Sequence, residues 1–401
     1  MRVLQSRETV VSMRTPGRWP WLCFGCTLIF SLAPANPQRP TRSSGAASPN
    51  PVCAVTEMHL VGHGAGPDWS LSGNDLIAFF RKDDSGVTQI WTLRPDGSQI
   101  QCLTCQNAPG LPAKVHKGSP SWHPSGRYIL FQAEMAKHLG PSRPAEPGIG
   151  WWNDVWLMTA DGRRFWQLTH YNPHGATAVL MPRFSRDGTR VAWTELIAGP
   201  RDRKMATGPF GRWQIHIADF AMDPGVPSLR NIQSMAPGNG IFYEFQDWSP
   251  SGANILFAAD IGLPSPYVLD LFDLNLKTGE LRNLTNSNDQ WDEQGTYSPN
   301  GRKIVYMSSR NNPEFNPKSL KSLRAEDFLM DSDGRNNVQL THFNTPGAPE
   351  YAGEQSAATK ATWSPDGTRL LLEQLMLGRS YSTRDRSRLH LLTFAGACGT
   401  R

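Results

Sequence analysis

The sequence predicts an all-β fold, and three observations carry that prediction. Six times an aromatic residue is followed four positions later by glycine across a polar turn, at Trp69/Gly73, Trp122/Gly126, Phe184/Gly188, Trp248/Gly252, Tyr297/Gly301 and Trp363/Gly367. The aromatics are 53, 62, 64, 49 and 66 residues apart, room in each interval for about four strands and their loops. An apolar run resumes directly after each turn. Together these predict a six-bladed β-propeller of four-stranded antiparallel blades over residues 53–401.

Within each unit the aromatic ends a first strand. Ser-Pro-x-Gly and its variants then turn the chain, proline presetting φ and glycine accepting a positive φ. The second strands follow, as Tyr128-Ile-Leu-Phe-Gln, Arg190-Val-Ala-Trp-Thr, Asn254-Ile-Leu-Phe-Ala, Lys303-Ile-Val-Tyr-Met and Arg369-Leu-Leu-Leu-Glu. Near-continuous apolar runs of this kind suit strands covered on both faces. Third strands lead into turns ending at Gly97, Gly162, Gly279 and Gly334, and fourth strands end on Leu-Thr at 103–104, 168–169, 284–285 and 340–341. The third unit lacks both signals. The sixth stops after its third strand, Arg388 to Thr393, and the unassigned stretch Ala54 to Leu60 is expected to supply the missing outer strand, pairing the two ends of the chain.

The pattern aromatic-Ser-Pro-Asp-Gly, apolar strand, Asp-Gly turn, Leu-Thr is similar to the TolB-like propeller repeat and covers residues 54–398. The resemblance implies the fold. For function it implies a range, since propellers of this family serve as protein-binding modules, as gating domains of peptidases and as lyase scaffolds. TolB itself carries an α/β domain before its propeller, and residues 36–53 are too few to hold one.

Residues 1–35 hold four arginines, one glutamate, the apolar stretch Trp19 to Leu32 and then Ala33-Pro34-Ala35. This reads as a secretory signal peptide cleaved after Ala35, whether the start is Met1 or Met13. Residues 36–52, rich in Pro, Ser and Gly, are expected to be a disordered spacer. No later stretch approaches ~20 apolar residues, so no membrane span is expected. The whole formal excess of +5 lies within residues 1–42. The remainder is near neutral and carries no global electrostatic footprint for nucleic acid.

The expected cleavage leaves Cys53, Cys102, Cys105 and Cys398 in an oxidising, periplasmic or extracellular setting. Cys53 and Cys398 bracket the repeats and are expected to pair. Cys102 and Cys105 are too far apart on an extended strand to bridge, so a disulfide there requires a turn. A turn-closing structural bridge and a redox role both remain open.

Loop lengths locate function. The first-to-second and third-to-fourth connections are tight turns on one face. The other face collects the long segments 135–150, 196–212, 308–325 and 376–388 within blades, and 105–118, 169–180, 235–245, 286–294 and 342–360 between them. Long loops on one face of a rigid scaffold are where binding is usually built. That face gathers Arg81, Glu134, Glu195, Asp260, Arg310 and Glu373 from second-strand ends. It also gathers His63, His116, Glu244, Asp292, Glu293 and Lys360 from inner-strand starts. Trp151 and Trp152, followed by Asp154, are candidates to stack on a sugar or anchor a partner, or else to plug the junction of blades 2 and 3. Basic clusters at Arg201, Arg203 and Lys204, and at Arg379, Arg384, Arg386 and Arg388, suit an acidic glycan or protein surface, or are solvated loops.

Two readings follow. In the first, the chain is an exported non-enzymatic propeller that binds a protein or envelope component, with no cofactor. No G-x-S-x-G elbow, H-E-x-x-H or P-loop is present, and no catalytic residue is assigned. In the alternative, which follows from a resemblance to the propeller lyases that degrade oligogalacturonate, His63 and His116, with His170 or His342, would hold a divalent metal for a lyase or hydrolase acting on acidic oligosaccharides. A partner subunit for a separately encoded enzyme is a variant of the first reading.

Overall fold

The computed structural model describes residues 53–136, 143–378 and 386–398. The expected leader and spacer, and Arg379 and Arg384 of the basic cluster, lie outside the described residues. Among those described, the fold is a six-bladed β-propeller of four-stranded antiparallel sheets with two short 3-10 turns.

The chain enters on β1 (Val55–His63) and then builds the blades in order, inner strand first. Blade 1 is β2 (Ala65–Trp69), β3 (Ile77–Lys82), β4 (Thr88–Leu93) and β5 (Gln101–Cys102). Blade 2 is β6 (Lys117–Trp122), β7 (Tyr128–Glu134), β8 (Asn153–Thr159) and β9 (Phe165–Gln167). Blade 3 is β10 (Val179–Phe184), β11 (Arg190–Ala198), β12 (Arg212–Asp223) and β13 (Val226–Met235). Blade 4 is β14 (Tyr243–Trp248), β15 (Asn254–Ala259), β16 (Asp270–Asn275) and β17 (Leu281–Asn283). Blade 5 is β18 (Asp292–Tyr297), β19 (Lys303–Ser308), β20 (Glu326–Asp331) and β21 (Val338–Gln339). Blade 6 is β22 (Ser356–Trp363), β23 (Arg369–Met376) and β24 (Ser387–Phe394), completed on its outside by β1.

Every one of the six aromatics ends an inner strand, as the turn chemistry requires. At Ser185-Arg-Asp-Gly188 the Ser185 hydroxyl and the Thr189 amide both donate to Asp187 Oδ1, and Gly188 sits at φ 73°. The second strands are buried on both faces: Ile77, Phe79, Ile129, Phe131, Ile255 and Phe257 are all inaccessible. Their core lies between blades. Leu256 and Leu271 of blade 4, for example, pack with Ile304, Tyr306 and Phe328 of blade 5.

The Leu-Thr endings have a common geometry. The hydroxyls of Thr104, Thr169, Thr285 and Thr341 accept from the backbone amides of Ile90, Val155, Leu271 and Asp327 on the third strands, at 2.9–3.1 Å. The same hydroxyls donate to Gln89, Asp154, Asp270 and Glu326 on those strands, at 2.7–2.9 Å. In these four blades the fourth strand is only two or three residues long, so this threonine clasp holds what the ladder cannot. Blade 3 has no such threonine. It pairs β12 and β13 over 12 and 10 residues around a turn at Pro224-Gly225, which the sequence reading did not identify.

Closure is as expected. β1 pairs antiparallel with β24, from Val55 opposite Phe394 to His63 opposite Arg388. Cys53 and Cys398 are bonded across it. Cys102 and Cys105 are also bonded, their Cα atoms brought to 5.7 Å by the turn after β5.

Candidate binding face and charged axis

Each inner strand carries a register shift about three residues before its aromatic, as between Ala65 and Asp68, Gly118 and Ser121, and Glu293 and Thr296. Such bulges re-aim side chains. Here the residue one position before each aromatic, Asp68, Ser121, Arg183, Asp247, Thr296 or Thr362, faces the next blade or the axis. Thr362, Asp68, Ser121 and Asp247 accept from the backbone amides of Trp69, Trp122, Phe184 and Tyr297 in the following blade, at 2.7–3.3 Å. Arg183 has no acceptor to offer. Its guanidinium instead lies 2.9 Å from Asp68 and 3.6 Å from Asp247, and Arg186 lies 3.6 Å from the other oxygen of Asp247. These groups line a cavity of about 30 Å³ at the tight-turn end of the axis.

Deeper in, the Lys360 ammonium reaches the Gln246 carbonyl at 3.5 Å. Burial first, and then the nearby Arg183, press its pKa down to about 7. Burial raises Asp68 despite Arg183 beside it. Glu244 and Glu293 are hydrogen-bonded to each other, and burial followed by the charge of Glu293 pushes Glu244 well above the usual carboxyl range. The inner-strand positions Glu244, Glu293 and Lys360 are thus brought together. The axis is a desolvated charge network contributed by blades 1, 3, 4, 5 and 6. Arg183, Asp68 and Asp247 were missed by sequence reasoning; their signal was their shared position before the aromatic.

The second-strand ends do not form a ring of free ligands. Glu134, Asp260 and Ser309, each twelve residues after the blade aromatic, accept from the backbone amides of His116, Phe242 and Trp291, each six residues before it, at 2.9–3.1 Å. Asp260 also takes the Ile241 amide at 2.7 Å. Glu373 is buried, accepts from Gly66 N and Ser387 Oγ at 2.8 Å, and is raised by burial. Glu195 receives Tyr171 Oη and lies against His216 Nε2, both at 2.8 Å. Arg310 donates to Gln290 at 3.2 Å and lies over the Phe328 ring, while Arg81 covers Trp91 at 4.2 Å.

Trp151 packs with Ala178, Leu180, Leu196 and Trp213, plugging the junction of blades 2 and 3, the structural one of its two readings. Trp152 is half-buried in a left-handed conformation at φ 54°, its ring 5.6 Å from that of Trp151. Asp154 is buried in the blade 2 clasp, accepting from Gln167, Thr169 and Tyr171.

The histidines are not equivalent. His63, expected at the start of an inner strand, is instead the last residue of outer strand β1, because a single residue separates β1 from β2. His116 does lead into an inner strand, but it is buried, and its Nδ1 accepts from the Thr88 amide at 3.1 Å. His342 lies 3.7 Å from Glu350. No group of three or more His, Cys, Asp or Glu side chains among the described residues converges as a metal site.

No family model matches the sequence. The chain is 29% identical over 119 residues to the uncharacterized protein YidR of Escherichia coli (strain K12), a match covering 30% of this chain and 23% of that protein. Its fold is similar to that of TolB from Acinetobacter baumannii, with 18% identity, a TM-score of 0.47, and coverage of 80% of this chain and 64% of that one. It is also similar to an oligogalacturonate lyase solved with manganese, with 10% identity, a TM-score of 0.44, and coverage of 84% and 90%. These are likenesses of fold, and no activity is read from them.

Proposed function

We propose that this chain, a six-bladed β-propeller of TolB-like repeats, is an exported binding module that engages a protein or cell-envelope partner through its long-loop face. The observation that carries this reading is the inequality of the two faces. On one, strands are joined by turns as short as Pro224-Gly225. On the other, the chain passes through residues 199–211, 309–325 and 340–355 before re-entering a sheet. The 199–211 loop exposes Met205 at 48% beside the exposed cations Arg201, Arg203 and Lys204, and the connection before β8 on the same face exposes Ile149 at 40%. Apolar side chains ringed by charge suit a protein partner with an acidic surface.

Two disulfides support an oxidising compartment. No helix among the described residues is long and apolar enough to cross a membrane.

The test is capture from envelope extract by wild-type protein and by a Met205→Asp, Ile149→Asp variant, with Lys277→Glu on the tight-turn face as control. The proposed face predicts that a discrete partner retained by wild type and control is lost from the double variant. Equal capture by a folded double variant overturns it.

A further inference from the structure

At the long-loop end of the junction between blades 1 and 2, the β3–β4 connection and residues 103–116 enclose a cleft of about 170 Å³. Its polar wall is largely satisfied from within. Asp83 accepts from the Ser85 and Val87 amides, the Ser85 hydroxyl and Gln89 Nε2; Gln89 Oε1 in turn accepts from Thr104. Val87, Leu111 and Pro112 supply apolar wall, and Cys105 fixes the rim through its bond to Cys102.

Lys117 is the exception. Its side chain lines the cleft, the residue is only 1% exposed, and the ammonium donates to one group, the Val115 carbonyl at 2.9 Å. No carboxylate among the described residues stands within ion-pair distance of it. An ammonium carries three donors, and a buried cation without an anion at contact is costly. Asp83 and Glu134 act on it only from farther away, and burial brings its pKa down to about 8.

We propose that this cleft is a binding site for a small organic carboxylate, whose oxygens complete the Lys117 ammonium while its body lies on Val87, Leu111 and Pro112. The volume is below the ~300–1,000 Å³ of sites for drug-sized molecules, so the ligand is of single-ring size. The site lies apart from the charged axis and does not depend on the partner-binding reading.

Benzoate and its neutral isostere benzamide test the proposal by calorimetry on the intact protein. Benzoate is expected to bind wild type and benzamide to bind at least about tenfold more weakly. Benzoate stays ionised across the range, so its affinity is expected to fall by about tenfold or more between about pH 7 and about pH 10, as Lys117 loses its proton. Lys117→Met is expected to abolish the preference, and Lys277→Met to leave it intact. Equal binding of the two probes, no benzoate binding, or unchanged binding by a folded Lys117→Met variant overturns the proposal. If that variant does not fold, the pH profile of wild type decides, and a flat profile overturns it.

Discussion

Thr341 is wholly buried, and its hydroxyl both accepts from Asp327 N and donates to Glu326 Oε2. Replacing it by valine keeps shape but leaves a backbone amide and a buried carboxylate short of a partner. Thr341→Val is expected to cost about 1–3 kcal/mol in urea unfolding, and Thr341→Ser to recover most of it. At this scale the sequence showed the motif but not its work. Leu-Thr recurs at fixed places and reads as a strand ending, while its partners on the third strand vary between Gln, Asp and Glu. The position before each aromatic was harder still. Asp, Ser, Arg and Thr share it because each needs only to bond across the blade gap, so the role is constant and the residue type is not. Trp151 and Asp154 looked like binding groups because exposure cannot be read from residue type.

The element most altered from an ideal strand is the inner one. The bulges of the inner strands in blades 2, 3 and 5 put non-glycine residues into the left-handed region, Ser119 at φ 51°, Met181 at φ 52° and Gln294 at φ 57°, where blade 1 has Gly66. An L-residue there is strained by about 1–2 kcal/mol. Ser119→Gly is therefore expected to stabilise the protein by up to about 1 kcal/mol, raising the thermal midpoint, in contrast to the usual loss for glycine in a strand. No change or a loss would mean that the Ser119 side chain contributes packing that outweighs the strain. The tight turns were legible because their chemistry is local. The bulges were not, since alternation in segments such as Lys117-Gly-Ser-Pro-Ser121 is too weak to register a one-residue slip. The same blindness misplaced His63, which counting from the aromatic assigned to an inner strand.

At the scale of the whole molecule, one seam closes the ring. His390 on β24 stands between β23 and β1, opposite Leu372 and Leu60, and shares a bond of 2.9 Å with Gln374. Burial, followed by the charges of Arg388, His63 and His59, presses its pKa down to about 4. Between that value and the ~6.5 of an unfolded histidine, the unfolded chain binds more protons. The His390 contribution to stability therefore rises with pH across this window, is fully present above ~6.5, and is lost as the pH falls toward 4. The term amounts to about 3 kcal/mol, and His390→Gln should flatten the slope when urea unfolding is followed from about pH 4 to about pH 7. The closure itself was legible, since a three-stranded last unit and an unclaimed first strand have one economical solution. The protonation behaviour of the seam was not, because it comes from residues distant in sequence.

The pairing of β1 with β24 also has a consequence for synthesis. Residues 55–63 emerge from the ribosome early, yet their partner strand among the described residues spans residues 387–394. Until then the first strand has nothing to lie against, and blade 6 has no outer edge. A product cut short before Ser387 therefore leaves β1 unpaired, the outer edge of β23 open and Cys53 without its bridge, the kind of open edge that invites misassembly.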